Sequence, residues 1–449
     1  MVEGQGIAGL SLLIRDATIV TMNDGLAVVR GDVAIRNGRI ESVGASTDGQ
    51  FDRVIDAAGD YLLPGLIQTH IHLCQTLFRS YADDMPLMQW LRTRVWPMEA
   101  AHTAATLSAA ARLATTELLM SGTTAILTME TVHETDAVCE AVAASGIRAT
   151  VGKCMMDADA DVPARLKERT QSSIDESQAL RTRWHGTAND RLRVAFAPRF
   201  AVSCTRDLLE AVAALSADLG ALVHTHASEA REEVDIVRAL SGGLSNLEYL
   251  NAVHLATPRL CAAHCVWADE HDQILLAEHD VKVMHCPSSN LKLGSGIAPV
   301  VEMRKRGITV SLGADGAACN NRLDMFEEMR LAAMLQSVRL VPGALTARDA
   351  LWMATRAGAR TLGLESDIGS IETGKKADVI LVSRRRPHLA PDVDPFSTLV
   401  YAARGSDVRT TIVDGEILVE NGVPTRVSIE EVTSEAGTAA ALLAARAGV

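Results

Sequence analysis

A (β/α)8 barrel of the TIM type, carrying a small β-sandwich domain built from both chain ends, is the α/β fold that the sequence predicts. Three observations point to it. From Tyr61 onward, short apolar strands alternate with long Ala- and Leu-rich stretches of helical period. Eight such units before residue 320 fill roughly 250 residues, which is the arithmetic of an eightfold barrel. β texture brackets them at both ends of the chain. An open doubly wound sheet is the competing arrangement, but no Gly-x-Gly-x-x-Gly follows the first strand. The domains drawn on this basis are 1–60 and 366–449 for the small β domain, the latter with a terminal helix, and 61–365 for the barrel.

Taken in order, Leu10 to Met22 is rich in β-branched residues and ends at the turn Asn23-Asp24-Gly25. Two short strands between Gly31 and Val43 flank Asn37-Gly38, the strongest hairpin signal in the chain. The eight barrel strands are expected at Leu62–Thr69, Thr123–Thr128, Ala149–Lys153, Arg193–Ala197, Ala221–Thr225, Leu260–Ala263, Val281–Met284 and Thr309–Gly313. Helical stretches such as Thr103–Met120, Arg206–Leu219 and Pro299–Arg306 separate them, so right-handed crossovers join parallel strands. A helix over Ala347–Leu362 precedes further strands at Asp367–Ile371, Ala377–Val382, Val408–Val413 and Glu416–Val419. Ser434–Ala445 is an Ala-rich helix candidate.

Composition excludes several classes of function. Of 449 residues, 48% are hydrophobic, which is too many for a disordered chain. The 43 Lys and Arg stand against 56 Asp and Glu, a net charge of −13, so no basic stripe is available for nucleic acid. No apolar run reaches the ~18 residues of a membrane span, and Met1–Gly6 lacks the start of a secretory signal. Eight scattered Cys without a Cys-x-x-Cys pair read as reduced, buried side chains in a cytoplasmic protein.

The chemistry lies in where the histidines fall. His70 and His72 form a His-x-His at the end of the first barrel strand; i and i+2 share a face, so both rings can reach one metal. His226 ends the fifth strand, His264 the sixth, His285 the seventh, and Asp315 the eighth. Catalytic groups of such barrels gather at this end, and six coincident residues there are hard to attribute to core packing. His224 precedes His226 by two residues on the same strand, and of the two we take His226 as the ligand.

These residues sit in motifs similar to those of the amidohydrolase superfamily, and within it the metal-dependent aminohydrolases of purines and related heterocycles. The motifs are PGLIQTHIH (Pro64–His72), ADDMPLMQWL (Ala82–Leu91), HTHASE (His224–Glu229), HCPSSNLKLGSGIAPV (His285–Val300), GADGAACNNRLDMFEEMRLAA (Gly313–Ala333) and GSIETGKKADVILV (Gly369–Val382). The resemblance implies that His70, His72, His226 and Asp315 hold one Zn²⁺, with Fe²⁺ as the alternative. Relatives with two metals end strand four with a carbamylated Lys. Here it ends APRF, and Lys153 lies on strand three as a structural or solvated residue, which favours one metal. The likeness further implies Glu229 as proton shuttle, His264 as the group that holds and polarises the attacking water, and Asp315 as the relay to departing ammonia. A non-catalytic scaffold would lack ligands that are all present here, and a cyclic-amide hydrolase would more often carry the Lys.

For the substrate, Gly313–Ala333 and Gln75–Leu91 look most like the deaminases of 5′-deoxyadenosine, 5′-methylthioadenosine and S-adenosylhomocysteine, the first expectation. Gln75 and Arg199 look instead like the base-reading pair of guanine deaminase, which keeps guanine, 8-oxoguanine or a pterin as the alternative. An s-triazine amino- or chlorohydrolase shares the same metal kit. Trp90 is placed as a ring that stacks on the base or closes the pocket, and His285 as a contact to ring or ribose. The expected partner is thus a small heterocyclic amine, with neither nucleic acid nor membrane, in a homo-oligomer.

Overall fold

The computed structural model describes residues 11–44, 46–47, 49–158 and 161–449. The start Met1–Gly6, and Leu10 of the expected opening strand, lie outside the described residues. Five strands come first: β1 (Ser11–Val20), β2 (Val28–Arg36), β3 (Arg39–Val43), β4 (Arg53–Asp56) and β5 (Tyr61–Pro64). Eight more, separated by helical segments, follow as β6 (Leu66–Ile71), β7 (Thr123–Met129), β8 (Arg148–Met155), β9 (Leu192–Pro198), β10 (Val223–Ala227), β11 (Leu260–His264), β12 (Lys282–His285) and β13 (Val310–Leu312). The chain then adds β14 (Val379–Val382), β15 (Val408–Val413), β16 (Glu416–Glu420) and β17 (Val423–Pro424), and ends in a helix over Ile429–Ala447.

Strands β6 to β13 pair in sequence order, all parallel. The last meets the first through Thr69 Oγ1, 2.8 Å from Ser311 Oγ, and through the Asp315 amide, which donates to the His70 carbonyl at 3.0 Å. Gly313 makes this closure possible, since a Cβ there would lie 2.5 Å from the His70 carbonyl oxygen. Inside, Ile67, Leu127, Ala195, Cys261, Ala263 and Met284 from five of the strands fill the barrel, and Ala359, Leu362, Leu364 and Ile368 plug its far end. The site end is therefore the one that remains open.

The remaining nine strands form one mixed sheet from both chain ends. β1 pairs with β2, β4 and β5, so the sheet branches around a core of Leu12, Ile14, Ile19, Val33, Ile35 and Leu381. β5 lies between β1 and β14, parallel to one and antiparallel to the other. The Asn37-Gly38 hairpin is present, both residues having positive φ (49° and 73°).

Two sequence expectations need correction. Leu62–Thr69 is not one strand, because the chain changes sheets at Gly65. Its amide donates to Asp378 of the small sheet, while the next amide, of Leu66, donates to Gly122 beside the barrel. Asp367–Ile371 is a series of turns, with Gly369 at φ 88°; the Ile371 amide donates to the Thr21 carbonyl just beyond β1 at 2.8 Å. Among the described residues no helix is long and apolar enough to cross a membrane, and all eight cysteines are buried without a disulfide.

Candidate metal centre

His70 lies in β6 and His72 just beyond it, His226 lies in β10, His264 closes β11, and Asp315 follows β13. His264 and Asp315 adopt left-handed backbone (φ 70° and 63°), a conformation that costs non-glycine residues on the order of 1–3 kcal/mol each and is concentrated at functional sites. Here it turns each side chain from the strand end into the barrel mouth.

The Nε2 atoms converge. That of His72 is 3.2 Å from His226 Nε2 and 3.2 Å from Asp315 Oδ1, and His70 Nε2 is 3.3 Å from the same oxygen. His264 Nε2 is 3.8 Å from Asp315 Oδ2 and 3.5 Å from Glu229 Oε2. Ligand atoms of His70, His72 and His226 all lie within 4.8 Å of one another, as do those of His70, His264 and Asp315.

Each ring is held from behind. Nδ1 of His72 lies 2.7 Å from the Met129 carbonyl, that of His226 2.7 Å from the Arg199 carbonyl, that of His264 2.9 Å from Asn290 Oδ1, and that of His70 2.7 Å from His224 Nε2. A donor at Nδ1 leaves a bare lone pair at Nε2, the form in which imidazole binds a metal. The Nε2 atoms of His70 and His264 are buried and make no hydrogen bond. Three imidazoles and a carboxylate with inward lone pairs fit a divalent cation, and orphaned buried nitrogens are otherwise costly.

Burial works against the Asp315 carboxylate, but the His70 and His72 rings beside it outweigh that and hold it well below the usual range. Burial keeps His226 neutral, aided by its neighbouring rings, and lowers His70 to about 4. Ser289 Oγ donates to Asp315 Oδ2 at 2.7 Å and the Gly316 amide to Oδ1 at 2.7 Å, fixing the carboxylate plane.

Glu229 is 4% exposed and its Oε1 has no partner. Burial, and then the charges of Asp315 and Glu233, push its carboxyl well above the ordinary range. Its backbone is pinned by Glu233, which accepts from the amides of Ser228, Glu229 and Ala230 at 3.2, 2.6 and 3.4 Å.

A narrow cavity opens in front of these groups, walled by Gln75, Trp90 and Arg199 as well as His72, His226 and Glu229. Arg199 does not present a free fork to it, because both its terminal nitrogens bind Glu99, at 2.6 and 3.2 Å. Gln75 Nε2 donates to the same carboxylate at 3.0 Å, leaving its Oε1 unpartnered. Trp90 turns an unpartnered, buried indole N–H at the cavity wall. His285 stands apart: it is buried at the end of β12, off the cavity wall, with both ring nitrogens unpartnered, and burial, then the His264 charge, lowers it to about 3. Lys153 is buried in an ion pair with Glu168 at 2.5 Å.

Sequence reasoning missed Glu99, Asn290, Ser289 and Glu233. Ser289 and Asn290 stand inside the HCPSSN motif already quoted, and a lone acid amid the apolar WPMEAA was the available hint for Glu99.

The model of the amidohydrolase family matches residues 61–418. The 5′-deoxyadenosine deaminase of Methanothermobacter thermautotrophicus is 43% identical over 92% of this chain and 94% of its own length. The 5-methylthioadenosine/S-adenosylhomocysteine deaminase of Moorella thermoacetica is 40% identical, covering 94% of this chain and 97% of its own. The crystal structure of an adenosine deaminase from Xanthomonas campestris with bound zinc superposes with a TM-score of 0.90 at 32% identity, over 97% of this chain and 99% of that one.

Proposed function

The chain belongs to the amidohydrolase family, and from that premise we propose that it is a zinc-dependent hydrolytic deaminase of adenosine-type nucleosides, such as 5′-deoxyadenosine, methylthioadenosine and S-adenosylhomocysteine. The observation that carries the reading is the convergence of His70, His72, His226 and Asp315 beside a buried, unpartnered Glu229 on one cavity. Those four residues would hold the ion. When bound, a divalent ion supplies a water acidic enough to react near neutral pH.

The side chains supply the rest. His264 Nε2, at the centre, orients the attacking water, with Asn290 fixing its ring. Glu229 takes a proton from that water and delivers it to the ring nitrogen next to the amine-bearing carbon, making that carbon electrophilic. Its raised proton affinity favours the first of these transfers. The water oxygen bonds to the carbon. Asp315 passes the second water proton to the amine, the C–N bond breaks, and ammonia leaves behind a ring carbonyl with a protonated neighbouring nitrogen. Trp90, Gln75 and Arg199 form the wall against the heterocycle.

A second reading, deamination of guanine, 8-oxoguanine or a pterin, is favoured by Gln75 and Arg199 on that wall. It ranks second because Glu99 already engages the Arg199 fork. A cytoplasmic setting accords with eight buried, unlinked cysteines, and homo-oligomeric assembly belongs to the same reading.

Ammonia release tests the proposal. Zinc-loaded protein is offered 5′-deoxyadenosine, methylthioadenosine, S-adenosylhomocysteine, adenosine, guanine, 8-oxoguanine, pterins and melamine. Fastest turnover is expected on the adenosine group. Fastest turnover on guanine or a pterin would install the second reading, and none on any of them would refute both.

A further inference from the structure

Three of the four imidazoles at the centre lean through Nδ1 on an oxygen: the carbonyls of Met129 and Arg199, and the Asn290 side chain. His70 is the exception. Its Nδ1 faces another imidazole nitrogen, Nε2 of His224, at 2.7 Å, with the rings nearly perpendicular at 83°. His224 is fully buried on β10, two residues before His226, so both rings leave the same face of the strand. It is no ligand itself. Its Nε2 is engaged by His70, its Nδ1 is buried without a partner, and among the described residues the clusters able to hold an ion do not include it.

We propose that His224 is a positioning residue for the centre: its Nε2 accepts the Nδ1–H of His70 and so fixes the tautomer that aims a bare Nε2 lone pair of His70 at the cation. This rests on the reading of the centre as a cation site. A neutral imidazole carries one N–H. With that hydrogen on Nδ1, His70 Nε2 is a ligand; with it on Nε2, the same atom is a donor turned toward Asp315 and cannot bind a metal. Met129 and Arg199 enforce the ligand tautomer on their rings through backbone carbonyls, which only accept. For His70, whose Nε2 lies 3.3 Å from Asp315 Oδ1 and is drawn toward the donor form, the duty falls to a side chain. His224 therefore carries information for the centre that a space-filling residue would not.

Two amide substitutions separate this role from packing. The Gln amide oxygen reaches the place of Nε2 and can accept from His70, whereas the Asn amide oxygen stops at the place of Nδ1 and cannot. Metal-free wild type, His224→Gln and His224→Asn are titrated with Zn²⁺ against a chromophoric chelator, and the visible spectrum of each Co²⁺ form is recorded. Loss of an outer-shell partner weakens a metal site about 10–100-fold, so His224→Asn is expected to weaken Zn²⁺ binding by that factor and to alter the Co²⁺ bands, while His224→Gln stays within about threefold of wild type. Wild-type affinity in His224→Asn, or equal losses in both variants, would overturn the proposal. If His224→Asn does not fold, His224→Gln decides against wild type, a loss beyond about tenfold overturning it. A wild type that takes up no Zn²⁺ would instead remove the cation reading itself.

Discussion

Replacing the Glu229 carboxylate by its amide separates proton delivery from cation holding, because Glu229 belongs to neither group of side chains able to hold an ion among the described residues. Glu229→Gln is expected to retain zinc, measured by elemental analysis, and to lose about 10²–10⁴-fold in kcat, the usual worth of a general acid–base group. Turnover near wild type would remove Glu229 from the chemistry. Arg199 behaves differently, since it and Glu99 are both almost fully buried and bonded at two points. Arg199→Ala strands the Glu99 charge and should destabilise the fold by about 3–5 kcal/mol in urea unfolding. The double variant with Glu99→Gln should recover most of that. A loss under about 1 kcal/mol would mean that the pair does not hold the cavity wall.

At the scale of elements, helix Met325–Arg339 reaches the centre through one acid. Glu328 accepts from the Ser288 amide at 3.2 Å, Ser288 Oγ at 2.5 Å and Asn320 Nδ2 at 2.8 Å, next to the Ser289 that fixes Asp315. Burial raises its carboxyl from 4.5 to about 7. The folded state thus binds this proton more tightly than the unfolded chain, so the associated stability is complete below pH 4.5 and is lost as pH rises through about 7. Melting temperatures should fall between pH 5 and pH 7.5 more steeply in wild type than in Glu328→Gln; parallel profiles would exonerate Glu328. Much of this end of the barrel was legible beforehand. His70, His72, His226, His264 and Asp315 each terminate a strand whose apolar run announces it, and strand geometry dictates which neighbours share a face. Other features carry no such mark. The run through Gly65 has uniform β texture, and only its hydrogen-bond partners reveal the change of sheet. The Met129 carbonyl behind His72 has no side-chain signature, and Glu99 acquires meaning only when Arg199 arrives from 100 positions further along the chain.

Across the whole molecule, the barrel and the terminal sheet are riveted by Arg148. From β8 it binds Asp378 at 2.8 and 3.1 Å and Asp414 at 2.8 Å, and both it and Asp378 are buried. Arg148→Met strands the buried Asp378, while Asp414 keeps Lys376 at 3.3 Å, and should cost about 3–5 kcal/mol in chemical denaturation. An unchanged midpoint would show that the apolar contacts alone hold the two parts together. The placement of β5 also has a consequence for how the chain is made. One edge of Tyr61–Pro64 pairs with β1, already synthesised, but the other waits for Val379–Val382. At ribosomal speeds of about 5–20 residues per second, that interval lasts roughly 15–60 s. For that time the strand that precedes the one bearing His70 offers a bare hydrogen-bonding rim to any neighbouring nascent chain.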